Sequence, residues 1–164
     1  LAGAELELVS VDKREFRLKT ALAAVQKDFD FVIIDCPPSL SLLTVNALTA
    51  SDSVIIPIQC EYFALEGVTS LMNTVNRVKH SFNPGLDIEG ILLTMLDGRT
   101  NLGIQVVESV KKHFKDKVFS VAIPRNVRLG EAPSHGLPIH LYDPRSIGAE
   151  SYRQLARELI RRNQ

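Results

Sequence analysis

The segment Asp30-Phe31-Val32-Ile33-Ile34-Asp35-Cys36-Pro37-Pro38-Ser39 runs four apolar residues into a carboxylate and two prolines. In a sheet whose ligands gather at the strand ends, such an acid can hold Mg²⁺, usually through water, beside a nucleotide's phosphates. That is the mechanical requirement of a Walker B element, and it makes Asp35 the first candidate for metal binding and catalysis. An acid capping the following helix would leave the same trace. The usual companion is a phosphate loop, G-x-x-x-x-G-K-S/T, whose backbone amides cradle phosphate. It is absent: Gly85 and Gly90 have the glycine spacing but Ile91 and Leu92 follow, and Gly98 and Gly103 are followed by Ile104 and Gln105.

The other reactive side chains are less organised. Cys36 and Cys60 are the only cysteines and lack C-x-x-C spacing, so no metal site is expected of them and reduced thiols in a cytosolic protein are the economical reading. His113, His135 and His140 have no partners arranged for acid–base work, and His80 reads as a helix-end residue.

These residues need a frame. Four short apolar runs stand out, Phe31–Ile34, Val54–Ile58, Ile91–Met95 and Val118–Ile123. The first two are continuously apolar and rich in β-branched residues, as suits central parallel strands buried on both faces. Helical periodicity falls between them, at about 12–27, 40–50, 64–81, 102–115 and 146–162. Ser39 is placed to cap the second helix, and Asp143 with Pro144 to open the last. Alternating strands and helices predict an α/β fold, a mostly parallel sheet flanked by helices on both faces. Right-handed crossovers then bring all strand C-terminal ends to one ligand-binding edge. Residues 124–144 hold four of the eight prolines and read as a long functional loop.

With 164 residues, 45% hydrophobic and 23% charged, the chain has the composition of one globular domain. Disorder, a collagen repeat and a disulfide miniprotein are excluded. No apolar run reaches the ~18 residues of a membrane span, and no secretory signal opens the chain. The formal charge is zero, but unevenly spread: residues 1–98 carry 7 basic and 13 acidic side chains, residues 99–164 carry 12 and 6. The basic half can face an anionic partner, although helix surfaces often differ in charge for no such reason.

Four blocks carry a family resemblance: FVIIDCPPSLSLLTVNALTASDSVIIPIQCEYFALEG (31–67), ILLTMLDGRTNLG (91–103), IPRNVRLGEAPSHGLPI (123–139) and YDPRSIGAESY (142–152). In text and order the chain resembles the C-terminal two-thirds of ParA/Soj-type chromosome-partitioning ATPases, in the deviant-Walker-A group that includes MinD. The resemblance implies a P-loop NTPase-like fold lacking the N-terminal strand and phosphate loop, with residues 1–164 forming a single partial ATPase domain. It implies a parent that binds and hydrolyses MgATP, forms an ATP-dependent homodimer, binds DNA without sequence preference and answers to a ParB-type centromere-binding partner. It implies a cytoplasmic, nucleoid-associated protein without membrane attachment.

Carried over residue by residue, Asp35 matches the Walker B acid. Pro124 and Asn126 match the loop beside the adenine, and Met95 lies near the same end of the sheet. Read alone, Pro124 is a strand terminator and Asn126 a turn or helix cap. Arg99 and Arg128 match arginines implicated in DNA binding; read alone, both are solvated loop arginines. Forked guanidinium contacts to phosphate give affinity without sequence information, which suits nonspecific binding. Lys111, Lys112, Lys115 and the Arg153–Arg157–Arg161 stripe extend the basic surface or are solvated helix faces. Glu61–Gly67 matches a segment near the family's dimer interface. Without a Walker A loop the chain is expected to be inactive alone, and a noncatalytic DNA- or partner-binding fragment is the alternative reading. A MinD-like membrane-associated ATPase ranks below both, because the last helix ends at Arg161-Arg162-Asn163-Gln164 with no amphipathic tail.

Overall fold

Two β-branched runs, each needing a neighbour for its backbone hydrogen bonds, find one another and anchor the chain. The computed structural model describes residues 2–37, 41–61 and 64–164. In chain order its regular elements are α1 (Ala2–Leu8), α2 (Arg17–Leu22), α3 (Leu42–Ala50), β1 (Ser53–Gln59), α4 (Ala64–Ser81), β2 (Asp87–Thr94), α5 (Asn101–Phe114), α6 (Val127–Glu131), α7 (Ile139–Tyr142) and α8 (Ile147–Arg162). Short 3-10 turns lie at Arg14–Phe16, Gln26–Asp28, Lys115–Lys117 and Ala132–His135. β1 and β2 pair. Asp87 N donates to Asp52 O and Cys60 N to Thr94 O, a near-constant offset that makes them parallel. The contacts divide the chain into two compact units, residues 1–54 with 69–88, and residues 55–68 with 89–164.

In the first unit Leu48, Val75, Val78 and Leu86 form a buried cluster, joined by Val45, Val54, Leu71 and Phe82. The last turns of α4 supply three of these at helical spacing. α3 buries polar residues as well, and their hydrogen bonds tie it down. Asn46 Nδ2 donates to Arg14 O at 2.9 Å and Leu42 O at 3.0 Å, while its Oδ1 accepts from Leu18 N at 3.1 Å. Asn83 Nδ2 donates to Leu48 O at 3.0 Å and Ser51 O at 2.7 Å, capturing carbonyls at the end of α3 that no helical turn can satisfy. Phe16 meets Phe82 edge to face, ring centroids 6.0 Å apart.

In the second unit β2 gains a parallel neighbour in the segment Val118–Arg125. Phe119 N donates to Ile91 O at 2.9 Å and Ile123 N to Leu93 O at 2.8 Å. Between those two bonds the neighbour advances two residues further than β2, so the pairing is broken into isolated bridges at Ile91–Val118 and Leu96–Pro124. The interruption has a visible anchor. Glu158 of α8, buried, accepts from Ser120 N at 3.1 Å through both carboxylate oxygens, and from Ser120 Oγ at 2.5 Å. Arg162, one turn on, donates to Glu158 at 2.6 Å, to Glu89 O and Val118 O, and stacks 4.2 Å over the Phe119 ring. Gly90 lies under that ring: a Cβ there would sit 2.5 Å from Phe119 Cε2. Leu92, Phe119 and Ile123 form the buried cluster, packed by Ile55, Val121, Leu129, Leu155 and Leu159.

Several sequence expectations are corrected. Phe31–Ile34 forms no strand: the segment is irregular, Ile33 is 84% exposed, and no strand among the described residues pairs with it. A β-branched run has strand propensity, but a strand exists only where a neighbour completes its hydrogen bonds. The helix expected at 12–27 is a 3-10 turn, the short α2 and another 3-10 turn. Residues 124–144 are not a structureless loop but carry α6, a 3-10 turn and α7. Ser41 caps α3 and Ser146 caps α8, the latter accepting from Ala149 N. Asp143 and Pro144 precede that cap, and Ser39 lies outside the described residues. Among the described residues no helix is long and apolar enough to cross a membrane.

Asn83→Ala leaves two carbonyls without their donor and is expected to cost about 2 kcal/mol, measured as a shift of the urea midpoint. Burial opposes the charged form of Glu158, but Ser120 and Arg162 together outweigh it and hold the carboxyl below its usual range. A depressed folded value stabilises above the unfolded carboxyl value and is lost as pH falls through the folded one. Glu158→Gln is therefore expected to lower stability at pH 7 and to flatten its acid dependence in denaturation curves taken between pH 2 and 7.

Candidate functional site

β2 ends in a reversal of backbone hand. Met95 has φ 54°, a left-handed conformation that costs a residue with Cβ about 1–2 kcal/mol. Hydrogen bonds on either side hold it there: Thr94 O accepts from Cys60 N at 2.9 Å, and Leu96 N donates to Ile123 O at 3.1 Å. Arg125 N then donates to Leu96 O at 2.9 Å, across the Leu96–Pro124 bridge. Met95 and Pro124 thus end adjacent strands on one edge, and Met95 keeps an exposed side chain. Asn126 follows as the N-cap of α6, its Oδ1 accepting from Leu129 N at 3.3 Å. The cap uses the amide oxygen and leaves Nδ2 as the group that can donate to a ligand.

The turn after Met95 is built on Asp97. Its Oδ1 accepts from Arg99 N at 3.1 Å and from Arg99 Nε at 2.9 Å, and its Oδ2 from Arg99 Nη2 at 2.8 Å. Its carbonyl accepts from Thr100 Oγ1 at 3.0 Å. Thr100 Oγ1 accepts in turn from Gly103 N and caps α5. Gly103 is required there, because a Cβ would lie 2.9 Å from Asp97 O. Arg99 itself is 88% exposed. Its guanidinium holds the Asp97 carboxyl well below the usual range, with a smaller contribution from Arg125.

Arg128 extends from α6. Its Nη1 donates to Glu131 Oε2 at 2.9 Å and its Nε lies 3.4 Å from Asp143 Oδ2. Tyr142 Oη donates to the same Glu131 oxygen at 3.1 Å, and the His135 ring stacks on Tyr142 at 4.9 Å. Arg128, then Tyr142, hold Glu131 below its usual range. Arg125 pairs with Glu61 at 2.7 Å. On α8, Arg153 is tied to Glu150 and Pro144 O, whereas Arg157 and Arg161 make no ion pair among the described residues.

Asp35 belongs to the first unit, at the end of the irregular 29–37 segment, with an exposed side chain. Burial, then the Asp35 charge, push the neighbouring Cys36 thiol up, away from thiolate chemistry. Among the described residues no group of three or more His, Cys, Asp or Glu side chains could cage a metal. Of the Glu61–Gly67 segment, Tyr62 and Phe63 lie outside the described residues.

The second unit therefore brings Met95, Pro124 and Asn126 to one edge and adds Arg99 in the turn before α5 and Arg128 on α6. Sequence reading missed the acids that hold these arginines. Asp97 and Glu131 were visible as i,i+2 and i,i+3 neighbours. Glu61 was not, because 64 residues separate it from Arg125.

A parallel sheet flanked by helices, with loops gathered at the strand ends, is a P-loop NTPase-like α/β architecture. A solved relative, cobyrinic acid a,c-diamide synthase from Mycobacterium smegmatis with bound ATP analog and magnesium, superposes with a TM-score of 0.80 at 40% identity, over 98% of this chain and 58% of that one. The model of the AAA domain family matches residues 1–88. The chain is 68% identical over 97% of its length to the sporulation initiation inhibitor protein Soj of Bacillus subtilis, covering 63% of it. It is 59% identical over 99% of its length to the chromosome partitioning protein ParA of Myxococcus xanthus, covering 58% of it. The chain belongs to the AAA domain family and, within it, to the ParA/Soj-type partitioning ATPases. It spans about three-fifths of the length of these curated relatives.

A carboxyl titration followed by NMR is expected to place Asp97 below the ordinary value of about 3.9, and Arg99→Ala to raise it toward that value while the residue-99 N–H and Arg125 still lower it. By the linkage sign, what the pair adds to stability is present above the unfolded value and disappears as pH falls through the folded one.

Proposed function

We propose that this chain is the larger part of a chromosome- or plasmid-partitioning ATPase that binds and hydrolyses MgATP, dimerises with nucleotide and binds DNA nonspecifically. The observation that carries the reading is the 68% identity to Soj across 97% of the chain. A ParB-type partner regulates hydrolysis in this reading, and the protein is cytoplasmic and nucleoid-associated. Residues 1–164 form one partial domain of the whole ATPase.

In this reading the matched residues take separate roles. When bound, Mg²⁺ and ATP supply a polarised terminal phosphate. Asp35 would hold the ion, with water completing its shell. Met95 covers an apolar base face with its thioether. Pro124 leaves the ladder end without an N–H, and Asn126 Nδ2 donates to a base edge. Arg99 and Arg128 donate to DNA backbone phosphates, which carry affinity without sequence information. The sequence contains no G-x-x-x-x-G-K-S/T loop, and that favours a second reading, a noncatalytic DNA- or partner-binding chain.

Calorimetric titration of this chain with MgATP tests for a phosphate site within residues 1–164: no binding in a folded sample fits a part of the ATPase without the phosphate loop, and saturable binding overturns that account. In the full-length protein, Asp35→Ala is expected to lower Mg²⁺-dependent turnover at least tenfold; turnover equal to the unsubstituted protein removes Asp35 from the mechanism. Arg99→Glu is expected to weaken DNA binding with nucleotide binding intact, and unchanged DNA affinity at low salt refutes that role.

A further inference from the structure

Each arginine assigned to DNA phosphate already holds a carboxylate. Arg99 grips both oxygens of Asp97, at 2.9 and 2.8 Å. This is the forked geometry in which a guanidinium also takes a phosphate. Arg128 donates to Glu131 at 2.9 Å and lies 3.4 Å from Asp143. Glu131 is held in place by Tyr142 Oη at 3.1 Å. The fork of Arg99 is open to solvent, with its side chain 88% exposed. An exposed pair holds weakly and is open to competing anions. A carboxylate and a phosphate need the same donors, so one fork cannot fully satisfy both.

We infer that Asp97 and Glu131 set the affinity for nucleic acid: their carboxylates occupy the forks of Arg99 and Arg128 and compete with backbone phosphate for them. The inference rests on the DNA-binding reading of the two arginines and adds acids that tune it. DNA binding then exchanges one anion for another at each fork, and the displaced acid stays close to the incoming phosphate. Affinity and its salt dependence both fall short of what two unpaired arginines would give.

A mutant cycle tests this on the full-length protein with MgATP, using anisotropy of a labelled duplex over a range of salt. Asp97→Asn keeps the oxygen that accepts from Arg99 N and removes only the charge. Asp116→Asn, an exposed acid that lies next to no assigned arginine, controls for net charge. Asp97→Asn is expected to tighten binding about twofold to fivefold and to steepen the log–log salt slope by about 0.9. Asp116→Asn should do less, and Asp97→Asn should add nothing in an Arg99→Ala background. Glu131→Gln, which keeps an acceptor for Tyr142, should behave the same way against Arg128→Ala. If Arg99→Ala weakens binding but Asp97→Asn merely equals Asp116→Asn, or keeps its gain without Arg99, the competition is wrong and the DNA reading stands. If Arg99→Ala and Arg128→Ala leave affinity unchanged, or the unsubstituted full-length protein binds no DNA, the DNA reading falls and the inference with it.

Discussion

The candidate edge depends on the parallel pairing of β2 with the segment Val118–Arg125. Parallel neighbours must run in the same direction, so their C-terminal ends finish together. The hydrogen bonds from Ile123 N to Leu93 O and from Arg125 N to Leu96 O fix that finish. They bring the turn at Met95–Arg99 beside Pro124–Arg128, although about thirty residues of chain lie between them. The left-handed Met95 is affordable only because bonds on both sides lock the backbone around it.

The same pairing carries a defect that the rest of the unit accommodates. Ser120 leaves the ladder, and the buried Glu158 takes its N–H and hydroxyl. A carboxylate so placed needs its charge answered, and Arg162 answers it while covering Phe119. α8 is thereby fixed by polar contacts at its C-terminal end and by Leu155 and Leu159 on its apolar face.

At the surface the arrangement of charge is one of compensation. Arg99, Arg125 and Arg128 each hold an acid, so a basic chain half does not translate into three free cations. Counting charges along the sequence gives the sign of the surface but not the strength with which it holds an anion. That strength is decided by which donors are already engaged.

The sequence alone carried the α/β alternation, α4, α5 and α8 to within about a residue at most ends, the pairing-competent runs at 54–58 and 91–95, and the family. Periodicity and composition are local and survive in one dimension. It also read Phe31–Ile34 as a strand and 124–144 as a loop, and there it was wrong. A strand depends on a neighbour that propensity does not see, while α6 and α7 depend on the cap at Asn126, the Tyr142–Glu131 bond and the close seat of Gly148 under Leu129. The spacing of Asp97 and Arg99 was in the text, but not that the two would lock as a fork. The meeting of Glu61 with Arg125, of Glu158 with Ser120, and of the Met95 turn with Pro124 was decided only by tertiary structure, because contacts between residues distant in the chain are fixed by packing and backbone hydrogen bonding and not by local preference.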